Sequence, residues 1–207
     1  TVDFDEIAAV PDDIDLGEAA SLPVAGVTAL RALRRSGALL GRRVLITGAS
    51  GGVGHFAVQL AALGGAHVIA SVGSEARGEA LRELGATEVV VGLDGVERPI
   101  DVVLDNVGGP QLAAAWRLLG EGGVIQCIGT TSRQDAAFPS LVGMYRRIEA
   151  FTKGPDSSAD MAYLLRLMGE GKLRVEVGWR GPWSRFDEAA EALNGRRVKG
   201  KAVLDID

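Results

Sequence analysis

A glycine-rich run, ITGASGGVG at residues 46–54, follows a short apolar segment and precedes a helical pattern. Between a strand and a helix, bare backbone N–H groups can approach a pyrophosphate at the positive end of the helix. Ala49 stands where the first glycine of a G-x-G-x-x-G pattern would be. The position of the run predicts dinucleotide binding, with a merely tight packing turn as the alternative. The predicted cofactor-binding residues of the run are Ser50, Gly51, Gly52, Val53 and Gly54.

The second predicted strand ends without a carboxylate, which bears on the choice of cofactor. An NAD-binding fold usually places Asp or Glu roughly 20 residues past the loop, where it bonds the ribose 2′-hydroxyl. Here residues 70–74 read ASVGS, and the hydroxyl of Ser71 is followed by the guanidinium of Arg77. This pair suits a 2′-phosphate, so NADP(H) is preferred. Glu75 keeps NAD open, and Arg77 equally fits a solvated helix charge.

Two other classes of enzyme have sequence motifs similar to this run. Residues 48–52 satisfy G-x-S-x-G, the nucleophile elbow of the α/β-hydrolases, whose acid and histidine follow downstream. The histidines here are His55 and His67, in the next helix and strand, and none follows, so Ser50 is interpreted as a phosphate ligand. His55 is interpreted as a helix-surface residue outside the site.

The run also resembles that of the short-chain dehydrogenases, whose catalytic tyrosine has a lysine four residues later. Tyr145 is followed at that spacing by Glu149 and Tyr163 by Leu167, so this class is disfavoured. Both tyrosines lie in apolar patterns that favour packing. Cys127 falls in a predicted buried strand, which argues against a reactive thiol. No catalytic residue is therefore predicted.

The elements around these residues alternate between strands and helices. Such alternation predicts right-handed βαβ crossovers, hence an α/β fold with a doubly wound parallel sheet (Rossmann) and flanking helices. An N-terminal segment and helix, residues 1–36, is expected to pack on a dinucleotide-binding domain at residues 37–207. The predicted strands are 44–46, 67–71, 88–91, 101–104, 123–128, 173–177 and 202–206, and the predicted helices are 19–35, 56–63, 75–84, 111–119, 159–169 and 187–193.

Composition excludes several classes of protein. The chain of 207 residues is 47% hydrophobic, with a net charge of −5, which is the wrong sign for nucleic-acid binding. One cysteine and two histidines provide too few soft ligands for a structural zinc site, so no metal is predicted. Residues 44–74 carry no charged side chain, but glycines divide them, so no membrane span is predicted. The lone cysteine and the lack of a secretory signal predict a cytoplasmic protein.

In this order the segments resemble, nearly end to end, the cofactor-binding part of a zinc-independent medium-chain dehydrogenase/reductase of the quinone oxidoreductase type. The motifs are EAASLPVAGVTALRAL (18–33), VLITGASGGVGHFAVQLA (44–61), LRELGATEVV (81–90), DVVLDNVGG (101–109), GGVIQCIGT (122–130) and GRRVKGKAVLDI (195–206). The resemblance implies that residues 50–53 meet the pyrophosphate, and that Ser71 and Arg77 meet the adenosine ribose and 2′-phosphate. It further places Asn106 and Val107 near a ribose of the cofactor. The residues that it places beside the nicotinamide are Thr28, Ile128, Gly129 and Thr130. It places Lys201 in a closing loop at residues 197–201, for which a basic solvated turn is the alternative.

The resemblance also implies NADPH-dependent hydride transfer to a quinone or an activated alkene or carbonyl, with an NADP(H)-binding module without hydride transfer as the alternative. Relatives carry an N-terminal GroES-like domain that forms the other wall of the substrate cleft. The sequence is then either a fragment or a naturally reduced form. Residues 146–152 resemble the edge strand through which relatives pair, which predicts a homodimer.

Overall fold

A parallel sheet forms the centre of the protein in the computed structural model, which describes residues 3–138 and 145–206. Within these residues the sheet has six strands in the order β3-β2-β1-β4-β5-β6. Their bounds are β1 Arg43–Thr47, β2 His67–Val72, β3 Glu88–Val91, β4 Ile100–Asp105, β5 Leu119–Cys127 and β6 Arg147–Ala150. Because β1 pairs with both β2 and β4, the strand order reverses between β1 and β4. The predicted doubly wound fold is confirmed.

Helices cover both faces of the sheet. They are α1 Leu16–Ala19, α2 Val27–Arg35, α3 Gly52–Leu63, α4 Gly109–Leu118, α5 Ser158–Gly169 and α6 Phe186–Asn194. Residues of β1 alternate between two cores: Val44 and Ile46 pack with Phe56 of α3, whereas Leu45 packs with Trp116 of α4. Strands buried on both faces are typical of a parallel sheet between two helical layers.

Two predicted elements are wrong. Residues 75–84 form a 3-10 turn at Glu75–Arg77 and further turns, because Gly78 is a weak helix former and packs close to Val89. A strand was expected at residues 173–177, but it begins only at Val177. There β7 (Val177–Pro182) pairs in parallel with β8 (Lys201–Asp205) as a separate two-stranded sheet.

The helix predicted at residues 19–35 is divided. A π-helical turn at Leu22–Gly26 separates α1 from α2 and contains Pro23, which has no N–H to donate to a regular helix. Leu22 and Leu30 are buried in the same core as Phe56, so this segment packs on the main sheet. The division near residue 36 into an N-terminal segment and a dinucleotide-binding domain stays a prediction. Residues 1, 2 and 207, which belong to these predicted ranges, lie outside the described residues.

The strand expected near residues 146–152 is β6, which lies at the edge of the sheet beside β5. The prediction that Tyr145 is packed was wrong, since its exposed fraction is 81%. Tyr163 is partly buried, and the guanidinium carbons of Arg34 and Arg166 lie 5.2 and 5.1 Å from the centre of its ring.

Candidate functional site

The glycine loop, defined as residues 48–54, turns from the end of β1 into α3. Gly48 has φ +61°, in the left-handed region, and its carbonyl accepts a hydrogen bond from Gly51 N at 2.9 Å. A Cβ added at Gly54 would lie 2.6 Å from Ala49 Cα, so a side chain there would collide with the backbone of the loop. Gly54 therefore allows the close packing of helix against strand that a dinucleotide-binding turn requires.

A buried carboxylate fixes the wall beside the loop. Asp105, at the end of β4, accepts hydrogen bonds from Thr47 Oγ1 at 2.6 Å and Gly108 N at 2.8 Å. Burial raises the pKa of Asp105, an effect that these hydrogen bonds oppose. The ends of β1 and β4 are thereby joined at the point where the strand order reverses, which is where ligands bind in open α/β sheets.

The residues expected near the ribose and nicotinamide lie at this point. Asn106 donates from Nδ2 to Thr47 O at 2.9 Å, and a Cβ added at Gly48 would lie 3.3 Å from Val107 Cγ2. The N–H groups of Ile128 and Gly129 both donate to Asp105 O, at 2.8 and 3.1 Å. Hence the segments after β4 and β5 meet beside the glycine loop.

Thr130 belongs to the same group, because its Cα lies 3.3 Å from a Cβ added at Gly108. Thr28 is buried in α2, and no hydrogen bond between described residues joins it to the glycine loop. The contacts join Ile128, Gly129 and Thr130 to the segment after β4, and a position of Thr28 beside the nicotinamide stays a prediction.

Arg77 lies beside Ser50 of the glycine loop, and hydrogen bonds hold its guanidinium, which is not a free, solvated charge. Its Nε donates to Ser50 Oγ at 2.9 Å, and its Nη1 and Nη2 donate to the carbonyls of Arg196 and Val198 at 2.7 and 3.3 Å. A guanidinium is thus held beside the hydroxyl of the glycine loop. The sequence identified Arg77 but gave no sign of its carbonyl partners, which come from a segment more than 100 residues away.

Ser71 lies buried near the end of β2. Its hydroxyl is fully buried, donates to Gly92 O at 2.8 Å and accepts from Gln111 Nε2 at 2.9 Å. Its main-chain carbonyl accepts a hydrogen bond from Ala49 N at 3.0 Å, so the main chain of β2 supports the glycine loop. A ribose contact through its hydroxyl stays a prediction.

The segment 196–201 covers the glycine loop. Gly200 N donates to Ser50 O at 3.1 Å, and Gly200 forms a parallel bridge with Gly51. A Cβ added at Gly52 would lie 2.9 Å from Lys201 Cδ and 3.4 Å from its Nζ. Burial lowers the pKa of Lys201. A second cation therefore lies directly over the N-terminus of α3, and the alternative of a basic solvated turn is wrong for Lys201.

His55 was expected on the helix surface, and that prediction was wrong. Only 5% of the residue is exposed, and burial lowers its pKa to about 4, so the ring is neutral at neutral pH. Cys127 is half-buried, and burial, together with the charge of Asp105, raises its pKa to about 11; an unreactive thiol stays a prediction.

These contacts define what the site can hold. The first N–H groups of α3 have no partner within the helix and lie in the positive field of its dipole. Arg77 and Lys201 add positive charge on two sides of the same turn. The N-terminus of α3 under Lys201 suits a diphosphate, and the guanidinium beside Ser50 suits a second anionic group. Within residues 3–138 and 145–206, no group of three or more His, Cys, Asp or Glu side chains is placed to hold a metal ion.

The fold and the site together define a Rossmann-type domain with a glycine loop at its topological switch point. The sequence model of a family described as "Zinc-binding dehydrogenase" matches residues 84–204. This chain belongs to that family.

Quinone oxidoreductases are among the solved structures that it resembles. The enzyme from Coxiella burnetii superposes with a TM-score of 0.87 and 31% identity, over 99% of this chain and 65% of that one. The enzyme from Thermus thermophilus, whose structures include a complex with NADPH, has a TM-score of 0.83 and 30% identity, over 94% and 68%.

Among curated proteins, the human mitochondrial NAD(P)H oxidoreductase RTN4IP1 is 32% identical over an alignment of 240 residues. The alignment covers 99% of this chain and 59% of the relative. The chain thus spans about three fifths of the length of that relative. No helix in the described part of the chain has the length and apolar character needed to cross a membrane. The expectations of a cytoplasmic and zinc-independent protein stay predictions.

Proposed function

We propose that this chain binds NADP(H), with the diphosphate on the glycine loop. The observation that carries the proposal is the pair of cations, Arg77 and Lys201, that flank the N-terminus of α3. The relatives support a nicotinamide cofactor in general: one is named an NAD(P)H oxidoreductase, and solved relatives include complexes with NADPH and with NAD.

The preference for NADP(H) over NAD rests on the end of β2. Residues 73 and 74 carry no carboxylate there, and the guanidinium of Arg77 is paired with no acidic side chain among the described residues. A 2′-phosphate beside Ser50 would replace neutral carbonyl acceptors of Arg77 with a charged one, and charge-assisted bonds are the stronger kind.

Substitution of Arg77 with Ala tests this preference. It should weaken NADPH binding more than NADH binding, by about 1–3 kcal/mol, in fluorescence titrations. The matched control is Arg82→Ala, since Arg82 is exposed and bonds only Thr87 O among the described residues. Equal losses for the two cofactors would refute the 2′-phosphate assignment but leave nucleotide binding intact.

We further propose that the protein is an oxidoreductase that transfers a hydride to a quinone or an activated alkene or carbonyl. The bound cofactor supplies the hydride. The chain positions it: Asn106, Val107 and residues 128–130 form the wall at the end of β4 and β5 where the nicotinamide would lie. An NADP(H)-binding module without hydride transfer is the alternative.

Hydride transfer is tested by the loss of NADPH absorbance in the presence of a small quinone and an enone. The assay compares this chain with any longer chain encoded by the same reading frame. Oxidation of NADPH by either supports the reductase. Tight binding without oxidation in both would favour the binding module.

A homodimer through β6 is also proposed. β6 pairs with β5 along one edge only among the described strands, which leaves its other edge available for a second copy. Sedimentation at micromolar concentration should give a dimer, and a monomer there would contradict the proposal.

A further inference from the structure

A buried imidazole next to the glycine loop has a polar atom without a partner. His55 follows Gly54 on α3, and among the described residues its Nε2 has no hydrogen-bond partner. Nε2 faces the carboxylate of Glu176, whose Oε2 lies 3.9 Å away. A buried polar atom left unpaired costs free energy, so its presence requires an explanation.

The hydrogen bonds of Gln59 determine which nitrogen carries the proton. Gln59 Oε1 accepts from Arg174 N at 2.8 Å, so the amide nitrogen Nε2 is a donor, and it lies 2.9 Å from Arg174 O, 3.1 Å from His55 O and 3.3 Å from His55 Nδ1. Because this nitrogen cannot accept, a proton on Nδ1 would face a donor, and the neutral ring therefore carries its proton on Nε2. The unpaired group of His55 is an N–H donor directed at a carboxylate.

Residues 174–176 connect this donor to the cover of the glycine loop. Gln59 holds Arg174 from both sides, since its Nε2 also donates to Arg174 O at 2.9 Å. Glu176 O accepts from Lys201 N at 2.8 Å, and the neighbouring Gly200 N donates to Ser50 O. The contacts run from α3 through residues 174–176 to Lys201 and back to the loop at the start of α3.

We propose that His55, through Glu176, is a positioning residue for Lys201. The donor on Nε2 attracts the Glu176 carboxylate, and the Glu176 main chain then holds the Lys201 backbone so that its ammonium stays over Gly52. Gln59 fixes the ring in the tautomer that this requires. The inference rests on the proposed binding of a dinucleotide diphosphate at the loop.

The test combines His55→Leu with Lys201→Met in the 207-residue chain. Loss of the Lys201 charge should weaken NADPH binding about tenfold, and His55→Leu about fivefold. If His55 acts through Lys201, its substitution in the Lys201→Met background should change binding less than about twofold. Losses that multiply would overturn the proposal.

His55→Gln preserves a donor near the position of Nε2 and should restore most of the binding that His55→Leu loses. The matched control is His67→Leu, which disrupts the other histidine–glutamate pair of the chain, His67 with Glu88, and should leave binding unchanged. If Leu at residue 55 prevents folding, the comparison of His55→Gln with Glu176→Ala replaces it; equal binding in these two would refute the proposal.

A second measurement needs no cofactor. Hydrogen exchange at the amides of Gly200 and Lys201, which donate to Ser50 O and Glu176 O, should accelerate in His55→Leu and not in His67→Leu. Unchanged protection would overturn the positioning role. If the unsubstituted chain fails to bind NADPH, the proposed function fails, whereas this exchange experiment still decides the role of His55.

Discussion

Alanine at Gly54 should separate the packing requirement of the loop from its binding requirement. The new Cβ would lie 2.6 Å from Ala49 Cα and 2.8 Å from Ala49 C. Unstrained carbon contacts lie at about 3.5–4.0 Å, and these atoms are backbone that cannot rotate away. Overpacking of this kind costs up to about 3 kcal/mol, from which a gain of about 1 kcal/mol is subtracted for replacing a helical glycine with alanine. We expect a net loss of about 2 kcal/mol in the free energy of unfolding.

Two other glycines serve as controls in urea unfolding followed by circular dichroism. Gly73 has no atom within 4 Å of an added Cβ, so Gly73→Ala should change stability by no more than about 0.5 kcal/mol. At Gly52 the added Cβ meets Lys201 Cδ at 2.9 Å, and that flexible side chain can move. Gly52→Ala should therefore keep most of its stability but lose NADPH binding. Equal unfolding midpoints for Gly54→Ala and Gly73→Ala would refute the packing argument.

Three further outcomes are expected. Thr47→Val should lower stability by about 2 kcal/mol in urea, because the buried Asp105 carboxylate loses a donor at 2.6 Å, whereas Val at the exposed Thr131 should have little effect. Since the pKa of His55 falls to about 4 on folding, its contribution to stability is present above the unfolded pKa and is lost as the pH falls toward 4. Between pH 7.5 and 4.5 the free energy of unfolding should drop about 2.5 kcal/mol more in the natural protein than in His55→Gln; parallel curves would contradict this. Iodoacetamide should modify Cys127 at least about tenfold faster in urea than in the folded protein, because burial raises the thiol pKa to about 11; equal rates would show that the thiol is accessible.

The sequence identified the parts of the site that lie close together along the chain. Residues 46–54 form a consecutive pattern, and the alternation of strands and helices fixes the sheet edge where that pattern lies. The segments after β4 and β5 were predicted through family resemblance, and the structure places Val107 beside Gly48 and Thr130 beside Gly108. The sequence did not predict that Asp105 supports both segments, with its carboxylate accepting from Gly108 N and its main-chain carbonyl from Ile128 N and Gly129 N. No local pattern shows which carboxylate will be buried between strands.

The errors have identifiable physical causes. His55 was placed on the surface because a helix usually has one polar face, but every residue from Gly54 to Ala61 is buried between α2 and the sheet. The expected helix at residues 75–84 did not form, because residue 78 is glycine. Arg77 bonds carbonyls at residues 196 and 198, and pairings so distant leave no periodic signal.

The bridge between Gly51 and Gly200 has a consequence for synthesis of the protein. On the ribosome, residue 51 leaves the exit tunnel about 150 residues before its partner, and contacts so distant in sequence are slow to form. The nascent protein can complete its sheet before residues 196–201 cover the glycine loop. Under the proposed binding mode, nucleotide captured during translation would be held without Lys201, and its residence time should lengthen only after residue 201 emerges.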